Sequence, residues 1–77
     1  MRTLKRVHDG GTQAVLKQIA DGWSVQIDIR KPDRSVTVGF RRPTLELARS
    51  LADKEILDFG HVCSGACKEW VEALSAP

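Results

Sequence analysis

The sequence contains no apolar run that approaches the roughly 20 residues needed by a membrane-spanning helix. Its basic start, residues 1–6, leads into no apolar segment of the kind that a secretory signal requires. We therefore expect no membrane partner, and a cytoplasmic location is the default expectation.

Cysteine is scarce, with only Cys63 and Cys67 in the chain. Two cysteines are too few for a disulfide-stapled scaffold. On a helix, residues four apart project their side chains from the same face in nearly the same direction. This geometry disfavours a disulfide bond between them. We expect two free thiols.

Familiar catalytic patterns are also missing. The sequence shows no Ser-His-Asp arrangement, no glycine-rich phosphate loop with its lysine and no paired carboxylates. Its 77 residues make one small domain, and domains of this size rarely enclose a ligand pocket of about 300 Å³ or more. The expectation is a protein that is not an enzyme and that uses no cofactor.

The first half of the chain has the turns and the alternation of an antiparallel sheet. Glycine turns follow Asp9 and Asp21, Pro32 begins a third turn, and apolar residues alternate strictly with polar ones from Trp23 to Arg30. A short helix is the open alternative for residues 12–20. The pattern predicts strands at about residues 3–8, 13–20, 23–30 and 35–41.

The second half is predicted to be helical. One helix is expected at about residues 43–58, with Pro43 at its first position. A second is expected at about 62–75, where an apolar stripe recurs at helical spacing: Cys63, Cys67, Trp70, Val71 and Leu74. The predicted fold is α+β, an antiparallel three- or four-stranded β-meander with two C-terminal amphipathic helices packed on one face.

The cysteines allow three interpretations. Because both lie on the apolar stripe, the pattern favours packing in the core. Together with the only two histidines they also form a donor set for structural zinc, His8, His61, Cys63 and Cys67, although the spacing departs from common zinc motifs. A redox pair is the third interpretation, with one residue more than C-x-x-C.

Charge is distributed unevenly along the chain. Residues 1–43 hold nine Lys and Arg against four Asp and Glu, whereas residues 44–77 hold three against six. The basic residues gather at the two ends of one predicted hairpin: Arg30, Lys31, Arg34, Arg41 and Arg42. They are candidate phosphate-binding residues, and solvated charges at the ends of a sheet are the alternative.

The order of a Trp-led hairpin followed by a helix, over residues 13–58, resembles the three-strand-plus-helix DNA-binding modules of the integrase arm-binding kind. The resemblance rests on this element order, on Gly22-Trp23 and on the Gly39-Phe40 ending. It implies DNA binding, but no motif carries functional residues across. The leading prediction remains a small non-enzymatic module that binds a protein partner or itself. Nucleic-acid binding is the second, and a domain with a structural zinc site is the third.

Overall fold

The computed structural model describes residues 1–63, 65 and 67–73. Its elements are, in chain order, β1 (Thr3–Val7), a 3₁₀ turn (Asp9–Gly11), β2 (Gln13–Ile19), β3 (Gly22–Arg30), β4 (Ser35–Arg42), α1 (Leu45–Asp58) and β5 (Val71–Ala73). The five strands form one sheet in the order β4-β3-β2-β1-β5, and all neighbours are antiparallel. The fold is therefore α+β.

The β2–β3 hairpin shows why a glycine is needed at the sharpest point of the sheet. Gly22 has φ of 149°, and a Cβ atom placed there would lie 2.5 Å from the carbonyl oxygen of Arg42. A side chain would therefore collide with the backbone of β4. The close approach sets the register in which Trp23 lies opposite Arg42. Residues 13–19 form a strand here, not the alternative helix.

The core lies between one face of the sheet and α1. Strand β3 alternates as expected, so that Val25, Ile27 and Ile29 are buried beneath the helix. Ala48 and Ala52 are fully buried, and their small side chains let α1 approach the sheet closely. The helix begins after Thr44, whose hydroxyl accepts a hydrogen bond from the Leu47 N–H at 3.3 Å, so Pro43 precedes it.

The opposite face of the sheet, turned away from α1, is here called the outer face. Val15 belongs to this face and is only partly buried. The reason is the period of two along β2, which sends Ala14 and Leu16 to the core and Val15 outward.

The predicted second helix at 62–75 is wrong for the part of that range that the structure describes. Residues 67–70 have no regular structure, and Val71–Ala73 adds a fifth strand to the sheet by pairing with β1. Gly65 has φ of 96°, which is incompatible with a helix, and the edge of β1 offers unpaired backbone groups instead. Of the predicted stripe, Trp70 packs against the core, whereas Val71 is 60% exposed and neither cysteine joins the core. Leu74 lies outside the described residues.

None of the helices described is long and apolar enough to cross a membrane.

Candidate metal centre

Four metal-ligating side chains from three parts of the chain meet at one end of the sheet. His8 follows β1, His61 follows α1, and Cys63 and Cys67 lie in the segment that leads to β5. One donor atom of each residue lies within 4.8 Å of the others. Since 53 positions separate the two histidines in sequence, only the fold explains this meeting.

His8 is positioned by the turn that connects β1 and β2. Its backbone N–H donates to the Thr12 carbonyl at 2.8 Å, and the residue is 4% exposed. Burial lowers the pKa of the His8 imidazole, and the positive charge of Arg6 lowers it further. A lowered pKa favours the neutral ring, the form in which histidine binds a metal.

His61 is delivered by the C-terminal cap of α1. Gly60 adopts φ of 90° directly after Phe59, and the His61 N–H then donates to the Ile56 carbonyl at 3.2 Å. This is a glycine-based helix end that turns the chain back across the last helical turn. The two imidazole rings consequently meet edge to face, with centroids 5.0 Å apart.

The cysteine segment is held beside β1 by main-chain contacts. The Lys68 N–H donates to the Val7 carbonyl at 2.8 Å, directly before His8. The Arg6 guanidinium donates through Nε to the Lys68 carbonyl at 2.9 Å and through its terminal nitrogen to Asp53 at 2.9 Å. These bonds bring Cys67 to the histidines.

Two distances define the geometry of the centre. Cys63 Sγ lies 3.6 Å from His8 Nδ1, and Cys67 Sγ lies 3.5 Å from His61 Nε2. In a tetrahedral zinc site with Zn–S of about 2.3 Å and Zn–N of about 2.0–2.1 Å, a sulfur and a nitrogen ligand lie about 3.5 Å apart. Both pairs therefore have the separation of neighbouring zinc ligands.

The polar groups of the centre are not fully satisfied by one another. His8 Nε2 is buried without a hydrogen-bond partner among the described residues, which is costly for an imidazole. Partial burial raises the pKa of the Cys67 thiol, and contact with Cys63 raises it further. A bound cation would reverse that effect by stabilising the thiolate.

Asp9 borders the centre on one side, and sequence reasoning missed it. Its Oδ1 atom lies 2.9 Å from His61 Nε2 and accepts a hydrogen bond from the Cys67 thiol at 3.4 Å. A metal bound to these two donors would displace their protons from the carboxylate. The adjacency of Asp9 to His8 in sequence is the only signal that placed it near the site.

The structure therefore brings together the four residues that the zinc interpretation named. The core-packing interpretation is wrong for the thiols, because Cys63 is exposed and Cys67 is half-buried. Their i, i+4 spacing fitted a helical stripe, but the chain at Gly65 does not follow a helix.

The five basic candidates do not share one surface. Arg30 and Arg41 lie on the outer face, whereas Lys31 and Arg34 close the β3–β4 turn through a 2.8 Å backbone hydrogen bond. Arg42 turns to the helix side, where its guanidinium lies 5.9 Å from the centroid of the Phe40 ring.

Two apolar side chains of α1 are exposed to solvent and could be covered by a second copy of the chain, as the predicted self-association requires. Leu47 is 51% exposed and Leu57 is 60% exposed. Whether a second copy of the chain covers them stays a prediction.

Comparison with protein-family models, with curated proteins and with solved structures finds no match. The function of this chain is therefore inferred from its own geometry.

Proposed function

We propose that this chain is a small zinc-binding domain in which His8, His61, Cys63 and Cys67 hold one zinc ion. The two sulfur–nitrogen distances of 3.5 and 3.6 Å carry the proposal, because they equal the edge of a tetrahedral zinc site. The donor set is the Cys₂His₂ combination of structural zinc centres.

Four protein donors make the proposed site structural rather than catalytic. A catalytic zinc keeps a coordination position open for water or substrate, whereas a closed site contributes only folding energy. With all four positions filled by side chains, the ion has no place for a reacting molecule. A non-enzymatic binding module is consistent with such a site.

The task we assign to the zinc is to fasten the C-terminal segment, residues 61–73, to the sheet. His8 lies at the end of β1, whereas His61 and both cysteines belong to the segment itself. Fastening them would keep β5 on the edge of β1, where its three residue pairs cover otherwise free backbone groups.

Zinc analysis of the purified chain tests the proposal. We expect one zinc per chain by native mass spectrometry, and loss of zinc in Cys63→Ser and Cys67→Ser. Glu69→Gln is the matched control, because Glu69 is an exposed residue of the same segment outside the donor cluster. A wild-type chain that takes up no zinc after reconstitution under reducing conditions would contradict the proposal.

A further inference from the structure

The register of the sheet assembles a basic surface that is separate from the metal centre. On the outer face, Lys17 lies opposite Ser24, and Ser24 lies opposite Arg41. With neighbouring strands about 4.8 Å apart, Lys17 and Arg41 are about 10 Å from each other. Lys5 lies opposite Val15, two residues from Lys17 along β2, so a diagonal of three cations crosses four strands.

The two sides of the domain differ in charge. The outer face of strands β1–β4 carries four cationic residues and one acid: Lys5, Lys17, Arg30, Arg41 and Asp28. Helix α1, on the other side, carries four acids and two bases. An anionic partner is therefore attracted to the sheet and repelled by the helix.

The three diagonal cations are available to a partner. Lys5, Lys17 and Arg41 are exposed, and within the described part of the chain none of them forms an ion pair. The single acid of this face, Asp28, does not pair with these cations. It accepts hydrogen bonds from Gln13 at 3.2 Å and from Thr37 at 2.8 Å.

A shallow polar depression adjoins the diagonal. It has a volume of about 420 Å³ and forms where Gly39 contributes no side chain to the outer face. Ser24, Gln26, Thr37 and Arg41 surround it with hydrogen-bonding groups. Such groups suit phosphate and sugar oxygens, which receive most protein–DNA hydrogen bonds.

We propose that the outer face binds the phosphate backbone of duplex DNA through Lys5, Lys17 and Arg41. The duplex is favoured over single strands because the described residues of this face include no aromatic side chain on which a base can stack. The wide major groove of B-DNA also admits a β-ribbon, whereas the deep, narrow major groove of duplex RNA does not. The inference does not depend on the metal centre.

Fluorescence anisotropy with a labelled mixed-sequence DNA duplex tests this inference on the full zinc-reconstituted chain. We expect micromolar binding at about 50 mM salt, with an affinity that falls steeply as salt increases. The double variant Lys5→Gln/Lys17→Gln removes two contacts and should flatten the log–log salt slope by up to about 1.8. Between about 50 and 200 mM salt, the wild type should then lose about 12-fold more affinity than the variant.

The matched control is Arg49→Gln/Lys54→Gln, which removes two positive charges from α1. It should leave the salt slope unchanged, because those residues face away from the outer face. If the Lys5/Lys17 variant does not fold, Arg41→Gln alone should flatten the slope by up to about 0.9.

Four results would overturn the inference. The first is no binding to duplex DNA at low salt, and the second is an equal flattening of the salt slope in the α1 control variant. The third is tighter binding to duplex RNA than to duplex DNA, and the fourth is displacement of the labelled DNA by an acidic polypeptide as readily as by unlabelled DNA. The last result would assign the surface to a protein partner. Each measurement is repeated after zinc is removed, so a failure of the metal proposal is distinguishable from a failure of this one.

Discussion

The sheet–helix unit, residues 3–58, and the C-terminal segment, residues 61–73, are held in different ways. The unit encloses a core of ten buried apolar residues between the sheet and α1. Among the described residues of the segment none is fully buried, and Trp70 is only packed against the edge of the core. A small domain thus has enough apolar surface to fold one layer of helix on its sheet, and the proposed zinc ion would fasten the remaining segment.

Removal of zinc from the proposed site should have the largest effect on stability, because it would release the C-terminal segment from the sheet–helix unit. A ligand that binds only the folded state stabilises it by about 4 kcal/mol when its free concentration is 1,000 times its dissociation constant, and zinc at the proposed site would do the same. We therefore expect a chelator to lower the thermal midpoint strongly and reversibly.

Hydrogen exchange shows which region responds to the chelator. The Lys68 amide, bonded to the Val7 carbonyl, should lose its protection first. Amides of strand β3 should stay protected longer, because β3 is paired on both sides. Simultaneous loss of protection in both regions would mean that they form one cooperative unit and that the comparison is wrong.

A cavity in the core should have the next largest effect. Ile27 is fully buried, so Ile27→Ala should reduce the free energy of unfolding by about 3 kcal/mol with zinc bound. Val71→Ala is the control in the segment, since Val71 is 60% exposed and its loss should cost less than about 0.5 kcal/mol. Urea titrations measure both values, and similar costs at the two positions would contradict the assigned core.

Gly60 joins the sheet–helix unit to the C-terminal segment, and its replacement tests whether the helix cap positions the proposed metal site. Its φ of 90° is unfavourable for a residue with a Cβ atom, so Gly60→Ala should cost about 1 kcal/mol and displace His61. Zinc affinity, measured by competition with a chelating dye, should fall as well. Gly39→Ala is the control, because Gly39 has no positive φ and its added Cβ would make an ordinary 3.7 Å contact. Unchanged zinc affinity in Gly60→Ala would show that the cap of α1 does not position His61 for zinc binding.

The ion pair between Arg2 and Glu72 should contribute least. Its atoms are 2.6 Å apart, but both side chains are about half exposed to solvent. Glu72→Gln should therefore cost about 0.5 kcal/mol or less, and the cost should vanish at high salt. A loss well above about 1 kcal/mol would show that charge, rather than metal, holds the segment.

The sheet and the first helix were predictable because local chemistry agrees with the final packing. The Asp-Gly turns and the alternation from Trp23 to Arg30 specify strands whichever partner they find. The segment after Gly60 was not predictable in this way. Its i, i+4 and i+7 apolar spacing is genuine, but the pattern carries no information about the free edge of β1, which turned residues 71–73 into a strand.

The metal donors could be found from residue type and number, since the chain has two histidines and two cysteines. The donors come together only because the turn at His8 and the cap at Gly60 place residues that are distant in sequence beside one another. The outer-face cations were harder to foresee. Lys5 and Lys17 are unremarkable in sequence, and only the strand register places them in line with Arg41.

X-ray absorption spectroscopy at the zinc edge of the reconstituted chain identifies the atoms that bind the ion in the proposed site. The proposed site should show two sulfur neighbours at about 2.3 Å and two nitrogen neighbours at about 2.0–2.1 Å from the zinc ion. A shell made only of oxygen and nitrogen, with no sulfur, would show that Cys63 and Cys67 do not bind the ion and would contradict the proposed centre.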